Sequence, residues 1–345
     1  MKRVLTGIKP TGVPHVGNVL GAIEPALALT REPGFEAYLF IADLHALTTR
    51  PDPTELRQQT NSVAATWLAL GLDPEKVCFY RQSQVPQIPE LAWMLSCSLP
   101  MGLLNRAHSI KDAMAKGQTA EELNHGLFAY PVLMAADILA FDANVVPVGR
   151  DQKQHLEIAQ EAARKFNLRY GEVLIVPEAK MREATMKVPG LDGEKMSKSR
   201  HNTLMPFEGD KAILKRIKSV KTDSTAYGAP LSTEEILFQI AELLAPPDVS
   251  LSLRRQYESG RRDPERRDGP DGDTSNHFGW GDAKKALHQI VLERFSGARE
   301  AYEGWMADEA GLEALLRKGE QRARATAERT LARARAAVGL PAGTA

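Results

Sequence analysis

The segment Lys195-Met196-Ser197-Lys198-Ser199 sets two lysines among small residues, between Gly193 and Arg200. A cationic loop of this kind suits a polyphosphate whose charge must be held while a bond to phosphorus changes. The plain alternative, a solvated basic loop, is weakened by a second feature near the N-terminus. There Gly7, Gly12 and Gly17, with Pro10 and Pro14, make a turn in which backbone can approach a ligand closely. A helix beginning near Asn18 then offers N–H groups and a positive dipole end to a phosphate. His15 stands just before that start, where it can donate a hydrogen bond to a triphosphate oxygen as a transition state forms. A glycine-rich strand-to-helix turn is a weak signal alone, and a lone histidine is often a satisfied surface residue. The two features together, in this order, carry the weight.

A third group lies on an amphipathic helix expected over residues 127–141. Tyr130, Met134 and Asp137 stand at i, i+4 and i+7 and share one face, which is otherwise apolar. A carboxylate on an apolar face is costly unless something donates to it. An indole N–H, which can only donate, is one such partner. An arginine pair or a capping role is the other reading of Asp137. Met134 would supply an adaptable wall against an aromatic ring. The segment 146–155 reads as strand, tight turn and helix start, and ligands of open parallel sheets bind at the carboxyl ends of strands. In it Asp151 can accept from ribose hydroxyls or cap the helix, and both can hold at once. Gln152 can meet the ammonium or carboxylate of an amino acid.

The elements that must position these groups alternate. Strands are expected at residues 4–6, 38–42, 77–80 and 145–148, with helices from 18, over 53–70 and over 127–141. That alternation argues a parallel, doubly wound α/β sheet. After Ser199 only helical patterns remain, at 211–220, 233–244, 283–305 and 308–338, the last carrying many arginines. Two domains are expected, 1–199 and 200–345. Residues 260–275 have almost no apolar side chain and read as a mobile loop. The chain has 345 residues, enough for two domains and a sizeable core. Its 44 basic and 44 acidic residues cancel, so any nucleic-acid surface must be a local patch. Cys78 and Cys97 are the only cysteines, which excludes a four-cysteine cluster and points to a reducing compartment. With no apolar run of membrane-spanning length and no signal-peptide pattern, a cytoplasmic protein without a membrane partner is expected.

The motifs resemble those of the bacterial tryptophanyl-tRNA synthetases, within the class I aminoacyl-tRNA synthetases. The matching segments are residues 7–13, Val16-Gly17-Asn18, Asp43-Leu44-His45-Ala46, Tyr130-Pro131, Met134 to Leu139, Val146-Pro147-Val148-Gly149, Asp151 to His155 and Lys195 to Ser199. They run over nearly the whole chain and are densest before residue 200. The resemblance implies a Rossmann-like catalytic domain, a helical domain that reads the anticodon, and a homodimer. It implies that Asp137 receives the indole N–H, that Met134, His45, Val146 and Val148 line the tryptophan pocket, and that Tyr130 and Gln152 hold the polar end of the amino acid. Lys9, Pro10, Thr11, Gly17, Asn18, Gly149, Arg150, Asp151, Met186 and the loop Lys195, Met196, Ser197, Lys198 and Ser199 would surround ATP. Lys195, Lys198, His15 and Asn18 would be the catalytic groups. The implied partners are L-tryptophan, ATP with Mg²⁺ and tRNA(Trp), with no tightly bound cofactor.

Several positions depart from the family's usual pattern and mark a divergent member. Lys9 stands where Gln is common, Leu5 where Phe is frequent, and Arg150 where Glu is common. Ser109-Ile110-Lys111-Asp112-Ala113 lacks the second lysine usual in that segment, and the 260–275 stretch reads as an insertion. A tyrosyl enzyme is the nearest rival, since Asp137 could also accept from a phenol. A non-catalytic tRNA-binding paralogue is the rival from another class.

Overall fold

The computed structural model describes residues 1–105, 117, 119, 123–148, 153–181, 188–266 and 273–342, apart from the side chains of Val148 and Met181. Short apolar runs become the strands of one parallel sheet. These are β1 (Lys2–Ile8), β2 (Phe35–Ile41), β3 (Cys78–Arg81), β4 (Val145–Val148) and β5 (Glu178–Met181). Their order is β3-β2-β1-β4-β5, with Val4 opposite Ala37 and Val145, Tyr38 opposite Cys78, and Val145 opposite Glu178. Residues 37–41 of β2 are buried without interruption, as both faces of a parallel sheet require. The chain leaves β1 toward β2 and β3, then returns to β4 on the other side. The topological switch point therefore lies between β1 and β4, and ligands of such sheets bind outside the carboxyl ends there. β5 was not expected from the sequence. It is a four-residue edge strand of Glu, Ala, Lys and Met, and charge on an edge blunts unwanted pairing.

Packing divides the chain into two units. One comprises residues 1–13, 25–185 and 305–345; the other comprises 14–24 and 186–304. The division expected at 199/200 differs from this for a physical reason. The last helix, Glu309–Val338, packs on the far edge of the sheet, against β3. Gly319 lets the two backbones meet, because a Cβ there would lie 1.7 Å from the carbonyl oxygen of Phe79. Arg81 of β3 holds Glu313 at 2.7 Å and the buried Glu320 at 2.6 Å. The hydroxyls of Tyr38 and Thr326 meet at 3.1 Å. A Gly319→Ala substitution must push the helix off the strand. It should cost roughly 1–3 kcal/mol, the usual range for overpacking, read as a lower melting temperature.

Several arginines of this helix reach the sheet unit, while Arg317, Arg322, Arg324, Arg329 and Arg333 remain exposed. Arg322 donates to the carbonyls of Pro74 and Val77, Arg324 to Gln84, and Arg333 to Asp142 at 2.6 Å. Arg335 pairs with Glu90, and Arg317 with Glu313 one turn away. The contacts of Arg322, Arg324, Arg333 and Arg335 fasten the helix to the sheet, while the Arg317–Glu313 pair lies within the helix.

The second unit is built on helices Asp210–Lys218, Ile236–Leu244, Pro247–Ser259 and most of Trp280–Ala307. Its core holds Ile213, Ile217, Phe238, Ile240, Tyr257, Leu287, Val291 and Phe295. Helix Pro247–Ser259 was not anticipated, although Pro247 in its first turn is a start signal. The ends of the 260–275 stretch are ordered rather than loose. Arg262 N–H donates to the Asn276 carbonyl at 2.8 Å and Phe278 N–H to that of Gly260 at 2.7 Å, around an antiparallel bridge between Arg261 and His277. Residues 267–272 lie outside the described residues. Among the described residues no helix is long and apolar enough to cross a membrane.

Candidate active site

In the sheet unit, two strand ends bring polar groups to one buried carboxylate. Asp137 lies on helix His125–Leu139 and is fully buried. Gln82, directly after β3 and also fully buried, donates its Nε2 to both Asp137 oxygens, at 2.7 and 3.0 Å. His45, on the short helix Asp43–Ala46 after β2, places Nε2 2.8 Å from Asp137 Oδ2. An ionised carboxylate only accepts, so His45 is the donor there. The orientation of the Gln82 amide is fixed independently, since its Oε1 accepts the His45 N–H at 3.3 Å. Burial pushes the Asp137 carboxyl up from its ordinary value, and the hydrogen bonds from His45 and Gln82 oppose that push. A carboxylate has about four lone-pair directions, so one further N–H donor can still be received.

The walls follow from the same helix. Tyr130 stands edge-on to the His45 ring, at 5.9 Å between centroids, and its hydroxyl is hydrogen-bonded to His155 Nε2. Met134 packs half-buried against the apolar core. Asp43 accepts the N–H of Ser83 at 2.8 Å and so ties the end of β2 to the residue after Gln82. Lys9, after β1, donates to Thr48 Oγ1 at 3.0 Å, and Thr48 donates in turn to the carbonyl of His45 at 2.8 Å. Burial lowers the pKa of Lys9.

In the second unit, the turn around His15 and the lysine loop are joined. The helix starts at Val16, with His15 as its cap: Nδ1 accepts the Asn18 N–H at 3.3 Å, and Asn18 Oδ1 accepts the His15 N–H at 3.1 Å. Because Nδ1 accepts, the proton of a neutral ring sits on Nε2, which can donate. Burial, followed by the charge of Lys198, pushes His15 down to about 4, so the ring is neutral near pH 7. Val16 N–H meets the Leu204 carbonyl at 2.9 Å and Gly17 N–H meets Met196 Sδ at 3.3 Å. The free N–H groups expected at a helix start near Asn18 are thus engaged within the protein, the one at Gly17 by a weak thioether acceptor. Gly17 could not be larger without moving something, as a Cβ would lie 3.0 Å from the His15 ring.

The loop itself springs from a tight turn. Pro189 bridges to Lys195, Met196 N–H donates to Val188, and Gly193 takes a positive φ of 87° that favours glycine. Met196 is buried while Lys195 and Ser199 are exposed. Burial lowers Lys198 to about 8, leaving an ammonium that is poorly solvated and still largely charged at neutral pH.

The structure therefore brings Tyr130, Asp137 and His45 together, with Met134 one turn from Asp137, and separately brings His15, Gly17 and Asn18 to Met196 and Lys198. Other residues go elsewhere. Gly7 is on β1, and its missing Cβ makes room for the Phe40 ring, a packing role. Val146 and Leu5 are buried in the apolar core. Pro10 is buried and Thr11 exposed. Gly149, Arg150, Asp151, Gln152, Met186, the 109–113 segment and the side chain of Val148 lie outside the described residues. Sequence reasoning missed Gln82, Asp43, Thr48 and the pairing of His155. Position was a signal, since residues 42–48 and 82–83 directly follow strands, and Asp43 and His155 also fall within the matching family segments.

The family model described as tRNA synthetases class I (W and Y) matches residues 1–296. A tryptophan–tRNA ligase from Bordetella parapertussis is 44% identical over 346 residues, covering 98% of this chain and 73% of that protein. One from Neisseria meningitidis is 40% identical, covering 98% of each. The crystal structure of tryptophanyl-tRNA synthetase from Campylobacter jejuni complexed with ADP and tryptophan superposes with a TM-score of 0.88 at 41% identity, covering 98% of this chain and 100% of that one.

Proposed function

The chain belongs to the class I tRNA synthetases of the tryptophan and tyrosine type, and we propose that its two sites divide the work of tryptophan–tRNA ligation. The relatives at 40–44% identity over nearly its whole length are tryptophan–tRNA ligases, and that activity is the one this chain carries. An oxygen of the tryptophan carboxylate attacks the α-phosphorus of ATP. The bond from that phosphorus to the bridging oxygen breaks, and pyrophosphate leaves with the electron pair. A hydroxyl of the terminal ribose of tRNA(Trp) then attacks the adenylate carbonyl and releases AMP.

The first nucleophile is already an anion, so this step needs no protein base. What it needs is placement and charge stabilisation. The observation that carries the amino-acid assignment is the buried Asp137, held by Gln82 and His45, whose carboxylate can accept one more donor by its lone-pair count. That remaining place suits the indole N–H. Tyr130 and Gln152 take the polar end of the amino acid, and Met134 lies along the ring. In the second unit Lys195 and Lys198 meet the charge that gathers on the leaving pyrophosphate, and His15 Nε2 donates to a phosphate oxygen. Lys9, Pro10, Thr11, Gly17, Gly149, Arg150, Asp151 and Met186 complete the ATP contacts, with Asp151 on the ribose. Mg²⁺ brought on the phosphate oxygens would add further neutralisation. Among the described residues no group of three or more His, Cys, Asp or Glu side chains is placed to ligate a metal.

Helix Asp210–Lys218 supplies part of the tRNA surface, as do the exposed arginines of the last helix. Lys211, Lys215 and Lys218 share one face of it and Lys221 follows; all four are exposed and, among the described residues, without an ion pair. Neutralising all four to alanine should raise KM for tRNA. Each lysine–phosphate pairing removed should flatten the salt dependence of binding by about 0.7–0.9 in log–log slope. Filter binding across a salt series checks this, and an unchanged slope places the phosphate-binding surface elsewhere. A homodimer and a cytoplasmic location belong to the same reading.

Amino-acid-dependent ATP–pyrophosphate exchange tests the activity. Exchange with tryptophan and none with tyrosine is expected. Exchange with tyrosine alone would make this a tyrosyl enzyme, and exchange with neither would make it a non-catalytic relative.

A further inference from the structure

Asn202 lies just past the lysine loop and is 3% exposed. A buried amide is costly unless its polar atoms are paired, and this one is paired entirely to the loop. Its Oδ1 accepts the N–H of Ser197 at 2.7 Å. Its Nδ2 donates to the carbonyl of Lys195 at 3.2 Å and to Asp192 Oδ1 at 2.6 Å. Its own carbonyl accepts the N–H of Leu191 at 2.8 Å. One residue therefore grips the loop on both sides of Met196, the side chain whose sulfur meets Gly17 N–H.

The surroundings are shaped to this amide. Gly190 presses on it, so that a Cβ there would lie 2.2 Å from Nδ2 and 2.9 Å from the Asn202 carbonyl. Asp192 is itself held in place, since its Oδ1 also accepts the Glu194 N–H at 3.0 Å. Yet Asp192, Glu194 and Lys195 are exposed. The side chain of Asn202 thus fixes the path of a surface loop.

We propose that Asn202 is a positioning residue for adenylate formation. It fixes the backbone at Lys195 and Ser197, so the two loop lysines reach the leaving pyrophosphate from a preset path. This rests on the activity proposed above and adds a residue that never touches substrate. Holding charged groups to a preset geometry matters because a displacement of about 1 Å can cost on the order of 100-fold in rate.

The test is single-turnover adenylate formation with equilibrium tryptophan binding and thermal melting on each variant. Asn202→Ala should lower the rate of adenylate formation roughly 10- to 100-fold. Tryptophan affinity without ATP should stay within about twofold, with little change in melting temperature. Asn202→Asp keeps the acceptor for Ser197 but sets a carboxylate against Asp192, so it should be no better than Ala. Combining it with Asp192→Asn restores a donor across that contact and should recover part of the rate. Asp192→Ala, on the exposed turn, should show a smaller loss of rate and fold even where the Asn202 variants do not.

A wild-type rate in Asn202→Ala overturns the proposal. So does a fall in rate, tryptophan affinity and melting temperature together, which marks a fold anchor. If Asn202→Ala does not fold, a wild-type rate in Asp192→Ala overturns it as well. Should the unmodified protein show no tryptophan-dependent exchange, the activity assignment fails rather than the role of Asn202.

Discussion

Lys195→Ala and Lys198→Ala should each slow adenylate formation by roughly 30- to 1,000-fold, the equivalent of about 2–4 kcal/mol of barrier. The argument is one of timing. Negative charge on the β- and γ-phosphates is present in bound ATP, but it grows on the leaving oxygen only as the bond to the α-phosphorus breaks. An ammonium on the loop interacts more strongly with that developing charge than with the ground state, and only such a difference accelerates the step. Lys198 has the larger leverage, because burial has already lowered its pKa to about 8 and stripped part of its water. Its effect should also depend on pH. As pH rises through about 8 the ammonium is lost and its contribution fades, so the Lys198→Ala deficit should shrink on the alkaline side. The measurement is single-turnover formation of the adenylate at saturating tryptophan, alongside equilibrium tryptophan binding. Full rates in both variants, or an equal loss in tryptophan affinity, would remove the loop from the chemistry.

Asp137→Asn should reduce kcat/KM for tryptophan by roughly 5- to 150-fold, from about 1–3 kcal/mol for a buried polar pair left mismatched. The new amide offers one oxygen where two stood. Its NH2 group must then face a donor, whether Gln82 Nε2, His45 or the indole. Because Asp137 and Gln82 are fully buried, water cannot repair the mismatch between them. Gln82→Ala is the informative companion, since it leaves the carboxylate and removes one of its two donors. It should raise the Asp137 carboxyl further and weaken tryptophan binding by less than Asp137→Asn. Steady-state exchange kinetics with tryptophan over a pH series decide both. A kcat/KM for tryptophan within about twofold of wild type in Asp137→Asn would mean that the indole is received elsewhere.

How much of this was legible differs from residue to residue. Asp137 could be singled out because a helix of known period puts it on an apolar face, and burial of a carboxylate demands a donor. What donates to it could not be read locally. Gln82 and His45 are separated from it by 55 and 92 positions, and they meet it only because the ends of β2 and β3 converge on the helix that carries it. The loop lysines and His15 were legible as types and spacing, whereas the cap that sets the tautomer of His15 depends on the Asn18 N–H being turned back onto it.

The sequence by itself determined the alternation that makes a parallel sheet, the apolar helix face that carries Asp137, the cationic loop and the glycine-rich turn before the first helix. These follow from period, side-chain chemistry and backbone freedom, all of which act over a few residues. Only the tertiary structure decided which groups those features meet. The last helix shows many arginines in the sequence, and which of them reach the sheet unit depends on Gly319 letting that helix lie against β3. Asn202 carries no motif in the sequence, and only the fold buries its amide and directs it wholly at the lysine loop. The boundary at 199/200 followed the change in composition, and the packing boundary followed contacts between segments far apart in the chain. A hydrogen bond or close contact is made between neighbours in space, and one chain's local pattern specifies that a partner is needed without specifying which residue supplies it.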